Sequence, residues 1–163
     1  MVVKIITEPN PILRQKAELI ALADLNTASL QNLIKNLVET MYQKDGVGMA
    51  APQIGESIRL CVITKKYNPL DKKKDLILIN PCWEKISIFK SWDEEGCLSV
   101  PLTYGKVRRY RKIKVKAWDE EGKVLNFTAD DFFARIIQHE IDHLEGILFI
   151  DKAKNLHEVQ PEL

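Results

Sequence analysis

A chain of 163 residues with 24 Lys and Arg against 23 Asp and Glu carries a net charge of +1, which gives no electrostatic case for nucleic acid or acidic membranes. Its length fits one domain, residues 1–163, with a substantial core. Three cysteines, an odd number behind no charged and apolar leader, point to free thiols in a reducing compartment, and no apolar run approaches the roughly 20 residues that span a bilayer. The expectation is a cytoplasmic protein, or an organellar one if a transit segment has been removed.

In chain order, VVKII reads as a short strand and TEPNPILRQKA as a proline-punctuated turn. Leu30, Leu33, Ile34, Leu37, Val38 and Met41 then recur at helical spacing, with Asn26 or Thr27 as N-cap and Gly46 as the stop. GVGMAAPQIG, residues 46–55, implies a backbone that comes close to something, with Gln53 the one long polar side chain in its middle. The plainer reading is a tight helix-to-strand connection. The stretch lacks the Lys and Ser/Thr of a phosphate loop.

RLCVIT and LILIN read as strands joined by a polar surface loop, and WEKISIF as a further extended segment. Cys61 and Cys82 are expected to be small buried hydrophobes. The Lys72–Lys74 and Arg108–Lys112 runs read as solvated faces. Cys97, in WDEEGCLSVP, stands after a glycine where a strand begins, and a lone cysteine there is structural by default. KVRRYRKIKVKAWD and KVLNFTA alternate as two strands of a hairpin joined by DEEG. Asp130 caps a final helix, DDFFARIIQHEIDHLEGILF, and His157 in the polar tail reads as solvated.

That last helix contains HExxH. At 3.6 residues per turn, His139 and His143 lie one above the other and can hold one cation, and Glu140 lies beside them, within reach of a water on that cation. The pattern alone also fits an ordinary amphipathic helix. Here Phe133, Ile137, Ile141 and Leu144 make the opposite face, and a His/Glu stripe on so apolar a helix needs a reason that metal binding supplies. A third ligand is still missing. The extended pattern HExxHxxGxxH matches at Gly146 but ends on Phe149, which cannot ligate, and Glu158 and Glu162 lie in a tail without helical pattern. The thiolate of Cys97 is a good ligand for a first-row metal.

GVGMAAPQ, EEGCLS and QHEIDH, in this order, resemble the three signature motifs of peptide deformylase, whose usual forms are GxGLAAxQ, EGCLS and QHExDH. The resemblance implies that Cys97, His139 and His143 bind the metal and that Glu140 is the acid/base. It further implies that Gln53 and the Leu98 N–H stabilise the oxyanion and that Gly48 lets the peptide backbone approach. The family's metal is typically ferrous iron, with nickel, cobalt or zinc able to substitute. Its reaction removes the formyl group from the initiator methionine of nascent chains.

The fold expected is α+β, with antiparallel strands packed around a central metal-binding HExxH helix and a second long N-terminal helix. Phe132 and Ile136 point to the histidine side and suit a methionine pocket. Glu95 either contacts substrate or caps a turn, and Arg135 is read as snorkelling to water rather than standing at the pocket mouth. Asp142 and Gln138 are candidate orienters of the imidazoles, with a basic residue of the Arg108–Arg111 run as Asp142's partner. Gly46, Gly48, Ala50 and Ala51 suit a cramped site that admits formyl and excludes acetyl. Met49 replaces the family's usual leucine at little change in volume. The tail lacks the long basic C-terminal helix linked with ribosome docking in some bacterial members, which puts that route in question here. The rival readings are a zinc endopeptidase, which Phe149 disfavours, and a deformylase-like protein that binds without turnover, which the intact Glu140 disfavours.

Overall fold

The computed structural model describes residues 1–162. Helix α1, Ala28–Gln43, starts where the Thr27 hydroxyl accepts the Leu30 N–H at 3.3 Å, and it turns Leu30, Ile34, Leu37 and Met41 to one side. After it come β1 (Gly48–Ala50), β2 (Leu60–Ile63), β3 (Leu76–Lys85), β4 (Lys90–Cys97), β5 (Val100–Tyr110), β6 (Lys112–Trp118) and β7 (Val124–Asp130). Helix α2, Asp131–Leu144, and a short strand β8, Lys154–Glu158, complete the order.

The strands form two antiparallel sheets, one ordered β1-β2-β3-β6-β7 and the other β4-β5-β8. Strand β2 and the first four residues of β3, Leu76 to Ile79, are buried on both faces, which is why they read as continuous apolar runs. Leu60, Val62, Ile77 and Ile79 pack with the buried side of α1. Cys61, Ile63, Leu76 and Leu78 turn the other way, onto Ala134, Ile137, Ile141 and Leu144 of α2. Helix α2 also touches β5, so it lies between the two sheets.

Several expectations need correction. The α+β class, the antiparallel strands and the two helices stand, but the central helix is not by itself the metal-binding element. The cluster of ligating side chains joins Cys97, at the end of β4, to His139 and His143 of α2. Physically, i,i+4 spacing places two ligands on one helix face and leaves the third to another element.

VVKII forms no strand, although the Ile6 N–H reaches the Gln53 carbonyl at 2.7 Å. The glycine-rich stretch is more than a connection, because Gly48–Ala50 pairs with β2 as an edge strand. The segment read as one strand over residues 106–119 is two, split at Arg111, and each half belongs to a different sheet. Cys82 is exposed because a bulge between Ile79 and Cys82 adds a residue to β3 and shifts its register. Arg109, inside the run read as solvated, is buried.

Asp130 holds the N-cap position of α2 without a side-chain cap bond, so burial of the helix's apolar face sets its start. The helix ends at Leu144, short of the expected Phe149. Gly146 follows with φ +74, and a Cβ there would stand 2.4 Å from the Arg14 carbonyl oxygen, so only glycine fits. Among the described residues no helix is long and apolar enough to cross a membrane.

Candidate metal centre

Strand β4 delivers Cys97 at its last position, before the two-residue turn Leu98–Ser99 leads into β5. Helix α2, fixed by its apolar face, presents His139 and His143 one turn apart. The Cys97 Sγ lies 3.3 Å from His143 Nε2, and the ligating atoms of Cys97, His139 and His143 all fall within 4.8 Å of one another. Sulfur and nitrogen ligands on a tetrahedral first-row ion stand about 3.5 Å apart, so this S/N/N set fits such a cation with little adjustment. The fit extends to orientation. Glu95 Oε1 holds His139 Nδ1 at 2.8 Å, which leaves Nε2 as the nitrogen facing the sulfur and the second ring.

The charges agree. Burial resists a thiolate at Cys97, but the two histidines outweigh it and hold the thiol well below its ordinary pKa. Burial likewise resists charge on His139, and Cys97 and Glu95 outweigh it and raise the ring well above its usual value. A cation held by these three side chains would take the place of those protons. Glu140 is buried, and that burial pushes its carboxyl up to about 7 against the pull of the two histidines. Its Oε2 has no hydrogen-bond partner among the described residues, nor does His143 Nδ1. Gly48 makes room for this carboxylate, since a Cβ there would stand 2.6 Å from Glu140 Oε1.

The centre opens into a cavity of about 470 Å³. Gly48, Gln53 and Glu140 line it with Glu95, Cys97, Leu98 and His139, and Phe132 and Ile136 join them from α2. Gly46 and Arg135 line it too, whereas Ala50, Ala51, Gln138, Asp142 and His143 do not, and His143 reaches the centre through its contact with Cys97. The Gln53 amide reaches Ser99 Oγ at 3.2 Å and Cys97 Sγ at 3.5 Å, while its carbonyl accepts the Ala50 N–H at 2.9 Å. Phe132 is 45% exposed and meets Tyr67 edge-on, so it forms the open side of the pocket, and the buried Ile136 forms its floor.

Residues 2–159 match the family model described as polypeptide deformylase. The chain belongs to the polypeptide deformylase family. A peptide deformylase of Desulfotalea psychrophila is 44% identical over 156 residues, covering 95% of this chain and 89% of that protein. One of Syntrophomonas wolfei is 47% identical, covering 93% of each. The class I type b peptide deformylase of Acinetobacter baumannii with Met-Ala-Ser bound superposes with a TM-score of 0.86 at 34% identity, covering 93% of this chain and 98% of that one. The peptide deformylase of Thermotoga maritima gives 0.85 at 34%, covering 94% and 99%.

Within this deformylase fold the pairings of Glu95, Arg109, Arg135 and Gln138 were only partly visible in the sequence. Glu95, read as contacting substrate or capping a turn, lines the cleft and gives both of its oxygens to protein partners. It accepts Arg109 Nε at 3.0 Å and Arg109 Nη2 at 2.9 Å, besides His139. Arg109 also pairs with Asp142, as expected of a basic residue in the Arg108–Arg111 run, and Lys152 reaches Asp142 from the surface at 3.1 Å. Arg135 does not snorkel, being buried against Glu95 Oε2 at 2.6 Å. A signal for Arg109 existed. Gly105, Val107 and Arg109 alternate on the inward side of β5, so an arginine there had to be paired. Gln138 bonds the Tyr110 backbone and not an imidazole.

Proposed function

We infer that the chain is a metal-dependent hydrolase that removes the N-formyl group from the initiator methionine of nascent polypeptides and releases formate. The observation that carries this reading is the joining of a Cys/His/His cluster to a buried carboxylate, Glu140, on one cleft in a deformylase fold. Cys97, His139 and His143 would hold the cation, ferrous iron by preference, with zinc, nickel or cobalt as substitutes. Bound there, it supplies an acidified water and a positive charge facing the formyl oxygen.

Glu140 then takes the proton of the attacking water and returns it to the departing amine, a role suited to a carboxyl poised near neutrality. The Gln53 amide and the Leu98 N–H meet the negative charge that grows on the formyl oxygen. Losing one such donor costs about 3 to 4 kcal/mol. Phe132 and Ile136 take up the methionine side chain. Gly46, Gly48, Ala50 and Ala51 leave a site too cramped for acetyl. The Acinetobacter baumannii structure contains Met-Ala-Ser, the peptide that deformylation of formyl-Met-Ala-Ser leaves behind, which supports a peptide running along this cleft.

On this reading the protein works as a single cytoplasmic domain, or in an organelle if a transit segment has been removed. It meets its substrate at or near the ribosome without contacting nucleic acid or membrane directly. Protein purified without oxygen and loaded with Fe²⁺ is expected to release formate from formyl-Met-Ala-Ser and no acetate from acetyl-Met-Ala-Ser. No formate from the iron-loaded protein overturns the reading, and comparable rates on the two peptides overturn the cramped-site argument.

A further inference from the structure

We propose that Arg135 is a positioning residue for the metal ligand His139, acting through Glu95, and not a contact for substrate. The proposal rests on the deformylase reading of the cleft. A carboxylate offers about four acceptor sites on its two oxygens. At Glu95 these are all taken: Oε1 meets His139 Nδ1 and Arg109 Nη2, and Oε2 meets Arg109 Nε and Arg135 Nη1. Arg135 and His139 stand one turn apart on α2, so the same helix grips both ends of this one carboxylate. Guanidinium, carboxylate, imidazole and helix turn close a ring.

The rest of the guanidinium ties that ring to the sheet. Arg135 Nη1 also donates to the Val107 carbonyl at 2.9 Å, and Nη2 donates to the Ser91 carbonyl at 2.8 Å. Those acceptors lie on β5 and β4, the strands that bring Arg109 and Cys97 to the site. A lysine has the charge but not the planar fork, and cannot span Glu95 and two carbonyls in one geometry. With Arg135 removed, Glu95 keeps both Arg109 bonds, but Oε2 loses its tie to α2, so the carboxylate is no longer held in register with the His139 ring on that helix. Although Arg135 lines the cleft, its donors point to Glu95 and the backbone.

The test uses Co²⁺ as both ligand and reporter in Arg135→Met and Arg135→Lys, with no substrate present. A weaker hold on Co²⁺, by about 10- to 100-fold as for other partners of metal-bound histidines, and an altered visible ligand-field spectrum are expected for Arg135→Met. The lysine variant should recover part of each. In the loaded enzyme kcat should fall for every formyl peptide while KM stays close to wild type. An unchanged Co²⁺ spectrum and affinity, or a loss confined to KM, overturns the proposal. So does failure of both variants to fold with wild-type circular dichroism, which would assign Arg135 to folding alone. Formate release by the wild-type protein tests the deformylase reading separately, so the two can fail independently.

Discussion

The two helices of this protein bury one face each against the same five-stranded sheet, and they bury different chemistry. On the α1 side the contact is almost wholly hydrocarbon: Leu30, Ile34, Leu37 and Met41 on Leu60, Val62, Ile77 and Ile79. The one buried polar group of α1, the Thr40 hydroxyl, is satisfied, accepting the Val3 N–H at 3.0 Å and donating to the Asn36 carbonyl at 2.7 Å. Helix α2 buries Arg135, Gln138, Glu140, Asp142 and His143 beside its apolar stripe, and two polar atoms there have no partner among the described residues. Hydrocarbon burial is the cheap way to hold a helix, and buried charge costs stability unless it is paired. Helix α1 therefore serves the fold, while α2 spends part of the stability gained elsewhere on a site.

That contrast can be broken by substitution. The largest effect is expected from Glu140→Ala, which should lower kcat by about 10²- to 10⁴-fold. It should leave the thermal midpoint unchanged or higher, because the residue removed carries an unpartnered buried oxygen. Full activity in this variant would remove Glu140 from the mechanism. Gln53→Ala comes next, with kcat down by about 10²- to 10³-fold from the loss of one oxyanion donor, measured as formate release at saturating peptide.

On the other helix, Leu37→Ala should do the reverse. Leu37 is fully buried in the apolar cluster, so the change should cost about 2–5 kcal/mol in urea unfolding. The kcat of the protein that remains folded should match wild type. Loss of catalysis without loss of stability in this variant would erase the division between the helices.

The smallest effect sharpens the comparison through pH. Burial resists the Glu95 carboxylate, but His139 and Arg109 outweigh it and hold its pKa well below the ordinary carboxylate range. A depressed folded pKa means stability that is present above the unfolded value of about 4.3 and is lost as pH falls below it toward the folded value. Glu95→Gln should flatten that acid-side loss by up to about 1.4 kcal/mol per pH unit, the slope of one proton. Leu37→Ala should leave the slope as it is, since the α1 face holds no such group. A wild-type slope in Glu95→Gln would deny the carboxylate its paired role.

Much of the site was legible because its signals are local. HExxH fixes two ligands and a carboxylate within five residues, and the order of the three motifs supplied Cys97. What stayed hidden depends on pairings across the chain. Glu95 meets partners 14, 40 and 44 residues away, and although the EGCLS motif sets it apart from the exposed Glu94, nothing local names those partners. The corner at Arg111 was invisible because the inward alternation of Val107, Arg109, Ile113, Val115 and Ala117 passes through it without a change of phase. Cys82 was misplaced by a single added residue in β3, which reverses faces without altering composition.

The separation of the ligands along the chain also has a consequence for biogenesis. Cys97, at the end of β4, precedes His143 by 46 residues, and both histidines arrive only with α2. During its own translation this polypeptide can gather no three-ligand trap for a cation until α2 has been made. A growing chain that stops short of α2 therefore carries one ligand of the three and lacks Glu140.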